Sequence, residues 1–241
     1  MIKLTLGILI SAAVALSAME HKPILHYDFT KGSVQVEGRY AAPQKHGRIS
    51  VSTPQGGKGV LFTGNSFMTV PASMGFDMGK AVTFYVLVKF SEPEKPARDM
   101  DMIFFKNGDF LLGRDREKLY VNICSPPVKG KYDRSWRAAC MAPGVPANRW
   151  TVLTSVVERI SEKRLRITLY IDGDQLKSQV IGHVFHKPAA TPLTIGKGWG
   201  GPWFLNGILG RVMIFDKALT HEEVLHLVMK EKYVTLEDVS K

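Results

Sequence analysis

The chain has 241 residues, with 32 Lys and Arg against 22 Asp and Glu, so its net charge is +10 and 45% of its residues are hydrophobic. A chain of this length can bury most of its apolar surface without metal or disulfide staples, in one large β domain or two small ones. The positive charge favours anionic partners such as acidic polysaccharides, acidic lipids or cell-wall polymers, or serves solubility alone.

The first 18 residues have the pattern of a secretory signal peptide. Lys3 gives a positive start, residues 4–18 are apolar and uncharged, and the run ends in small residues. It is shorter than the roughly 20 residues of a membrane span, so an uncleaved anchor is the less favoured alternative. We predict a signal peptide at residues 1–18, one domain at residues 19–241, and a secreted or periplasmic protein without a membrane span after cleavage. We expect no nucleic-acid partner, because the chain leaves the cytoplasm and carries no such motif.

Short β-strands dominate the rest of the chain. These segments are rich in Val, Ile, Phe, Tyr and Leu and are bounded by Gly, Pro, Asn or Asp, which is typical of strands. Asp172 and Gly173 predict a type I′ turn, since this pair favours positive φ. Turns at such short intervals predict a sandwich of two sheets. The predicted strands are residues 24–30, 59–63, 67–70, 82–90, 101–105, 110–113, 118–123, 150–157, 165–171, 175–181, 193–196 and 208–215.

Residues 124–140 form the first candidate binding segment. Cys124 and Cys140 close it, and an isolated pair in an exported protein predicts a disulfide, with two buried thiols as the alternative. The enclosed sequence interleaves aromatic and basic residues, which suit an anionic polymer because Arg can bind a carboxylate or sulfate with two hydrogen bonds. A solvated loop with its tryptophan packed on the sheet is the alternative. The predicted contact residues are Tyr132, Arg134, Trp136 and Arg137.

The segment IGKGWGGPWFLNG, at residues 195–207, is the second candidate. A glycine-rich loop offers its tryptophans little packing, so Trp199 and Trp203 either form a flat platform for a sugar or plug the core from a rim loop. Lys197 and Asn206 are close enough in sequence to supply hydrogen bonds to sugar hydroxyls. The glycines on both sides of Trp199 favour it as a platform, whereas Trp203 leads directly into a strand, which favours core packing.

One helix is predicted, near the C-terminal end. The sequence THEE at residues 220–223 is a capping box, in which the Thr220 hydroxyl caps the N–H of Glu223 and the Glu side chain reaches back. Residues 224–228 continue with an apolar stripe of helical period. We expect the helix to lie across the edge or the back of the sheets, and the polar tail from Thr235 onwards to fray.

Five segments, in order, resemble elements of the laminin-G-like and concanavalin A-like jelly rolls. They are GVLFTGNSFMTVP at 59–71, AVTFYVLVK at 81–89, NRWTVLT at 148–154, LYIDG at 169–173 and FLNGILGRVMIFDKALTHEEV at 204–224. The chain is thus similar to the concanavalin A-like lectin and glucanase superfamily over about residues 24–230. The resemblance implies an all-β fold, a two-sheet antiparallel jelly-roll sandwich with one short C-terminal helix.

Two departures from the superfamily pattern argue against a calcium site. Gly210 and Arg211 stand where relatives often have Asp-Glu, and the first strand is not followed by the usual Asp-rich loop. Many relatives bind calcium, which takes six to eight oxygen ligands. Asp99 and Asp101 are the nearest approach to an acidic cluster, and they lie beside basic residues. We therefore expect no cofactor, with calcium left open by the resemblance alone.

The sequence carries no recognisable catalytic signature. Relatives that hydrolyse glucans place carboxylates on one strand, as in E-x-D-x-x-E, and no such run occurs. Glu158 and Glu162 fall at a basic turn, although carboxylates from separate strands could still pair. No G-x-S-x-G is present, and His183 and His186 would point to opposite faces of a strand. We expect neither catalytic residues nor a metal site.

These observations favour a secreted, non-catalytic, lectin-like module that binds a polysaccharide or glycoconjugate, with an anionic glycan favoured by the charge. A fold hosts many functions, so two alternatives stay open. One is a protein–protein or adhesion module of the laminin-G type, with an extracellular protein partner. The other is an atypical polysaccharide hydrolase or lyase.

Overall fold

A computed structural model describes residues 22–31, 34–52, 59–71, 78–92, 100–124, 137–182, 185, 189–198 and 203–237. One helix, α1, spans His221–Glu237. The strands of the described residues are β1 Leu25–Asp28, β2 Gln35–Gly38, β3 Gln44–His46, β4 Ser50–Ser52, β5 Gly59–Thr63, β6 Phe67–Val70, β7 Ala81–Phe90, β8 Met100–Lys106, β9 Phe110–Asp115, β10 Lys118–Cys124, β11 Arg137–Pro143, β12 Trp150–Ser161, β13 Arg164–Ile171, β14 Asp174–Ile181, β15 Leu193–Ile195 and β16 Asn206–Phe215.

The described strands form two antiparallel sheets that pack face to face. The large sheet has nine strands in the order β14-β13-β12-β7-β16-β1-β2, with β5 pairing β16 and β4 pairing β5. The small sheet has seven strands in the order β11-β10-β9-β8-β15-β6-β3. Sequence neighbours repeatedly fall in different sheets, so the chain crosses back and forth as in a jelly roll. The predicted all-β sandwich with one C-terminal helix is confirmed.

Alternating burial along the strands builds the core between the sheets. In β13, Leu165, Ile167 and Leu169 are all 0% exposed and belong to the main apolar cluster, whereas Arg164 and Arg166 lie on the surface. This is the period-two pattern of a strand with one buried face. The turn after β13 has positive φ at Asp172 (53°) and Gly173 (93°), as the sequence predicted.

The strand β7 is buried on both faces, which explains its nearly continuous apolar sequence. Phe84, Val86 and Val88 face the core between the sheets. Tyr85 and Leu87 face the other way, into a second apolar cluster that includes Val224 and Val228 of α1. The helix therefore covers the outer face of the large sheet, which confirms its predicted place on the back of the sandwich.

The predicted capping box fixes the start of α1. The backbone N–H of Glu223 donates to Thr220 Oγ1 at 3.2 Å, and the N–H of Thr220 donates to Glu223 Oε2 at 2.7 Å. Glu223 also pairs with Lys217 at 2.8 Å, so the residues before the helix are held as well. These reciprocal bonds satisfy N–H groups that a helix N-terminus otherwise leaves open.

A buried ion cluster ties α1 to the large sheet at Arg211, one of the departures from the superfamily pattern. The Arg211 guanidinium donates to Asp28 Oδ2 at 2.7 Å and to Glu231 Oε1. Burial raises the pKa of Glu231 although Arg211 opposes the shift. Burial also pushes up the pKa of Asp28, but hydrogen bonds from Thr30 and Arg211 outweigh it and leave that pKa lowered. The helix α1 continues to Glu237, so the described structure places the helix end two residues beyond Thr235, where the sequence predicted that fraying begins.

The predicted disulfide between Cys124 and Cys140 is wrong. Both residues are buried thiols, the alternative the sequence left open. Cys140 lies opposite Val121 and Cys124 lies opposite Arg137, an offset of three residues between β10 and β11. Three residues of strand span about 10 Å, beyond the roughly 7 Å between Cα atoms that a disulfide allows. The odd offset also places the two thiols on opposite faces of the small sheet.

The N-terminal prediction is not addressed by this fold, since residues 1–18 lie outside the described residues. Within the described part of the chain, no helix combines the length and the apolar character that a membrane span requires.

Removal of the buried cation should destabilise the fold far more than removal of a surface one. Arg211→Ala leaves Asp28 and Glu231 buried without their cation, with side chains 9% and 5% exposed, and we expect a loss of about 3 kcal/mol in the free energy of unfolding. Arg166→Ala removes a 45% exposed partner of Glu158 and should cost less than about 1 kcal/mol. Urea unfolding followed by circular dichroism measures both, and equal losses would contradict the structure.

Reduction should leave the stability unchanged. A disulfide closing this loop would contribute about 3 kcal/mol, whereas thiols on opposite sheet faces contribute nothing that dithiothreitol can remove. We expect thermal unfolding midpoints with and without dithiothreitol to agree, and mass spectrometry of the unfolded, unreduced protein to show two alkylated cysteines. A lower midpoint in reductant would overturn the observed strand register.

Candidate functional site

The two sheets differ in what covers their outer faces. Helix α1 packs on the outer face of the large sheet through the second apolar cluster. On the small sheet, alternate residues such as Met68, Leu112 and Val121 point into the core. The opposite side is half-exposed at β6 and β15, but it is covered farther along the sheet, where Leu111 is 3% and Asn122 1% exposed. Residues paired in register on neighbouring strands point to the same face of a sheet. One row of paired residues on the outer face crosses six strands and consists of Gln44, Thr69, Thr194, Phe105, Leu111 and Asn122.

The described residues of the predicted segment, 195–198 and 203–207, pair as two antiparallel arms at one end of this face, and we call these two arms the hairpin. Leu205 donates its N–H to the Gly196 carbonyl at 2.9 Å, and Gly198 donates to the Trp203 carbonyl at 2.8 Å. Gly196 has a φ of +86°, and a Cβ there would lie 2.6 Å from the Phe62 ring. Only glycine satisfies both constraints, so Gly196 sets the direction in which the hairpin leaves β15.

The hairpin brings a lysine onto two aromatic rings. The Lys197 ammonium lies 4.4 Å from the Phe67 ring centroid and 5.4 Å from that of Phe204. His46 stacks on Phe67 with centroids 4.5 Å apart and planes 10° apart, and its Nε2 hydrogen-bonds Thr69 Oγ1 at 2.8 Å. We call His46, Phe67, Lys197 and Phe204 the Lys197 cluster; all four side chains are half-buried.

Trp203 is half-buried and lies beside the Lys197 cluster on the same hairpin. A Cβ on Gly198 would come within 3.3 Å of Trp203 Cβ and 3.1 Å of Met102 Cε. The tryptophan therefore packs directly against the hairpin backbone, near a buried methionine of the outer face. The burial of Trp203 is therefore intermediate between the two alternatives that the sequence left open, an exposed surface for a sugar and a side chain packed in the core.

Asn206 does not share this arrangement. It begins β16 of the large sheet, where it lies opposite Thr63. Its backbone N–H donates to Asp101 Oδ1 at 3.1 Å, and its carbonyl accepts from Ser91 at 3.0 Å. Asn206 is close to Lys197 in sequence, but the two residues do not share a face. The chain passes from the small sheet into the large sheet at Asn206.

A buried ion pair supports the base of the hairpin. Arg114 donates to Asp101 Oδ2 at 2.6 and 2.9 Å, and its guanidinium lies 4.2 Å from the Phe90 ring centroid. Burial raises the pKa of Asp101, although Arg114 opposes the shift. Asp101 is occupied by these contacts, and no group of three or more His, Cys, Asp or Glu that could hold a metal occurs among the described residues.

The remaining predicted contact residues fall on other parts of the chain. Arg137 opens β11 opposite Cys124, and only its backbone is described. The sequence missed His46, Phe67 and Phe204 as site residues. Phe67 begins a predicted strand, whereas His46 and Phe204 lie outside the predicted strands, and the clue available was the aromatic and basic content of these segments. Four predicted residues lie outside the described residues: Tyr132, Arg134, Trp136 and Trp199.

The chain matches one family model, described as the concanavalin A-like lectin/glucanases superfamily, over residues 62–225. No curated protein matches the chain. Domain 4 of AbnA, a GH43 extracellular arabinanase from Geobacillus stearothermophilus, solved in complex with arabinotriose, superposes with a TM-score of 0.61 at 19% identity, over 87% of this chain and 99% of that one.

Toxin binding domains share the fold as well. The binding domain of Paraclostridial Mosquitocidal Protein 1 gives a TM-score of 0.65 at 14% identity, over 87% of this chain and 52% of that one. The binding domain of Botulinum Neurotoxin DC, in complex with SialylT, gives 0.63 at 12% identity, over 86% of this chain and 51% of that one. The chain spans about half of each toxin domain, and at these identities the likeness shows the fold alone.

Substitution of Gly196 should disrupt the hairpin. Gly196→Ala forces a side chain into left-handed backbone and against the Phe62 ring, so we expect a loss of about 2 kcal/mol in unfolding free energy. Gly182→Ala is the matched control, because nothing lies within 4 Å of a Cβ there, and it should stay within about 0.5 kcal/mol of wild type. Hydrogen exchange at the Gly198 amide should accelerate only in the first variant; unchanged exchange there would contradict the assigned geometry.

Proposed function

The chain belongs to the concanavalin A-like lectin/glucanase superfamily, and we propose that it is a non-catalytic module that binds a polysaccharide or glycoconjugate on the outer face of the small sheet. One observation carries the proposal: the rings of Phe67 and Phe204 are half-buried on this face beside Lys197 and Trp203. Pyranose rings have one apolar face and a rim of hydroxyls, so a site needs flat apolar surface next to polar groups.

The rings are held in place before any ligand arrives. Phe67 stacks on His46, and the bond from His46 to Thr69 fixes the orientation of the imidazole. The hairpin that carries Phe204 is closed by backbone hydrogen bonds. Side chains that are already ordered lose little entropy on binding, which favours affinity for a weakly binding ligand such as a sugar.

The structural neighbours support the proposal by analogy. The arabinanase domain was solved in complex with arabinotriose and a neurotoxin binding domain in complex with SialylT. Those ligands belong to those proteins. What passes to this chain is the suggestion that a jelly roll of this shape suits a binding role.

The proposal of a binding rather than a hydrolytic role rests on the carboxylates of the small sheet. A retaining glycosidase needs two carboxyl groups about 5–5.5 Å apart and open to the substrate. Asp101 is paired with Arg114, and Asp109 is paired with Lys106 at 2.5 Å with both side chains at most 1% exposed. Asp101 and Asp109 held in this way are not placed to attack or protonate a glycosidic bond. Asp115, the other carboxylate on a described strand of this sheet, has Met100 and Lys118 as register partners rather than a second carboxylate.

Two further parts of the proposal come from the sequence. The predicted signal peptide implies that the glycan is met outside the cytoplasm, and a net charge of +10 favours an anionic one. We further propose that binding needs no calcium, because the superfamily positions often acidic are Gly210 and Arg211 in this chain.

The test is glycan binding by single-residue variants. Phe204→Ala and Phe67→Ala should each lower the affinity for the best ligand of a glycan array about tenfold, as loss of a central aromatic contact does. Leu176→Ala is the control, because this 42% exposed residue lies on the large sheet. Calorimetry measures the affinities with and without EDTA, and a reducing-sugar assay measures hydrolysis.

Three outcomes would refute parts of the proposal. Absence of binding to every glycan would refute the binding role, and release of reducing sugar would refute the non-catalytic one. An equal loss of affinity in Leu176→Ala would show that the ligand does not bind at the Lys197 cluster.

A further inference from the structure

The Lys197 ammonium is held by rings rather than by a carboxylate. It lies within 5.4 Å of two ring centroids, the range in which the negative face of an aromatic ring attracts a cation. Within the part of the chain that the structure describes, no acidic side chain forms an ion pair with Lys197. Contact with neutral rings leaves the full positive charge in place, so the ammonium can still bind an anion.

The sequence around the cluster lacks acidic residues altogether. Neither residues 38–76 nor residues 175–215 contain a single Asp or Glu. These two stretches supply β3 and β6, which carry His46 and Phe67, and the hairpin that carries Lys197 and Phe204. All 22 acidic residues of the chain lie outside these two stretches. The positive potential at the Lys197 cluster is therefore not offset by acidic residues nearby in the sequence.

Two exposed cations lie at the same edge of the small sheet, although Lys45 shares the face of its register partner Met68 rather than that of His46. Lys45 lies in β3, directly before His46, and Arg48 follows two residues later. His46 and Lys197 both contact Phe67, whose ring lies within 4.5 Å of each. A flat apolar surface therefore adjoins an ammonium group with three donors, which fits a sugar ring carrying an acidic substituent.

We propose that the Lys197 cluster is a subsite for the acidic group of a glycan, in which Lys197 binds a sugar carboxylate or sulfate, Phe204 contacts the sugar ring, and Phe67, stacked on His46, holds Lys197 in place. This inference rests on the proposed glycan-binding function, and it adds the residue that binds the acidic group and the place of that group on the protein. Carboxylate and sulfate share the chemistry of a compact oxyanion, and the two sources are separated by experiment.

The test uses an array of matched pairs: uronic-acid, sialic-acid and sulfated oligosaccharides, each beside its uncharged counterpart. Wild type should bind the acidic member of at least one pair about tenfold more tightly than the neutral member, as expected for one charge-assisted hydrogen-bonded contact. Lys197→Gln should abolish this preference, so that the variant binds the acidic and the neutral member of that pair with equal affinity. Lys197→Arg, which retains the charge, should restore most of it.

Lys118→Gln is the matched control for net charge. Lys118 is exposed at the start of β10, so its substitution removes the same charge away from the cluster. An equal loss of preference in Lys118→Gln and Lys197→Gln would overturn the inference, because the whole surface charge would then be responsible. Equal wild-type affinity for both members of every pair would overturn it as well, with the proposed glycan binding left standing. Binding to no glycan refutes the proposed function and the subsite together.

Discussion

The burial of β7 on both faces is the constraint on which the rest of the structure depends. One face of this central strand fills the core between the sheets, and the other needs a second apolar layer. Helix α1 supplies that layer, so the outer face of the large sheet is used for stability. On the small sheet, the part of the outer face at which we propose ligand binding is the half-exposed part at β6, which carries Phe67 and Thr69. Arg211 and the Thr220 cap matter to function through this division, because both hold α1 in place.

The corner that carries Lys197 depends on how the chain changes sheets. After β15 the chain must turn over Phe62, pass through a hairpin and enter the large sheet at Asn206. Gly196 permits the turn, and the buried Asp101–Arg114 pair receives the chain at its end. The backbone at Lys197 is held on one side by Gly196 and on the other by the Asp101–Arg114 pair. Because the backbone is held, the Lys197 ammonium stays over the rings of Phe67 in β6 and Phe204 in the hairpin.

Much of the fold was predictable from local pattern, and the site only in part. The β13–β14 turn and the capping box follow from residues adjacent in sequence. The strands β2 and β3 were missed because they are exposed edge strands, QVEG and QKH, without apolar alternation. Lys197 and Trp203 were singled out by composition, but the contacts among His46, Phe67 and Lys197 arise from register between distant segments, which composition does not encode. The same limit applies to the disulfide, since β11 was treated as part of a loop.

Two groups of charged residues stand out, buried ion pairs and an excess of basic residues outside those pairs. Buried or half-buried acids are matched by cations: Asp28 and Glu231 by Arg211, Asp101 by Arg114, and Asp109 by Lys106. Such pairs resist exchange with solvent ions because both members are desolvated. The excess of basic over acidic residues must therefore be carried by other parts of the chain. The acid-free stretches at residues 38–76 and 175–215 supply strands of both sheets, and among them are the segments that carry Lys45 and Lys197. A long-range field speeds the encounter with any polyanion, whereas the rings beside Lys197 act only at contact. In the function that we propose, the field therefore attracts the polymer and the Lys197 cluster selects the sugar.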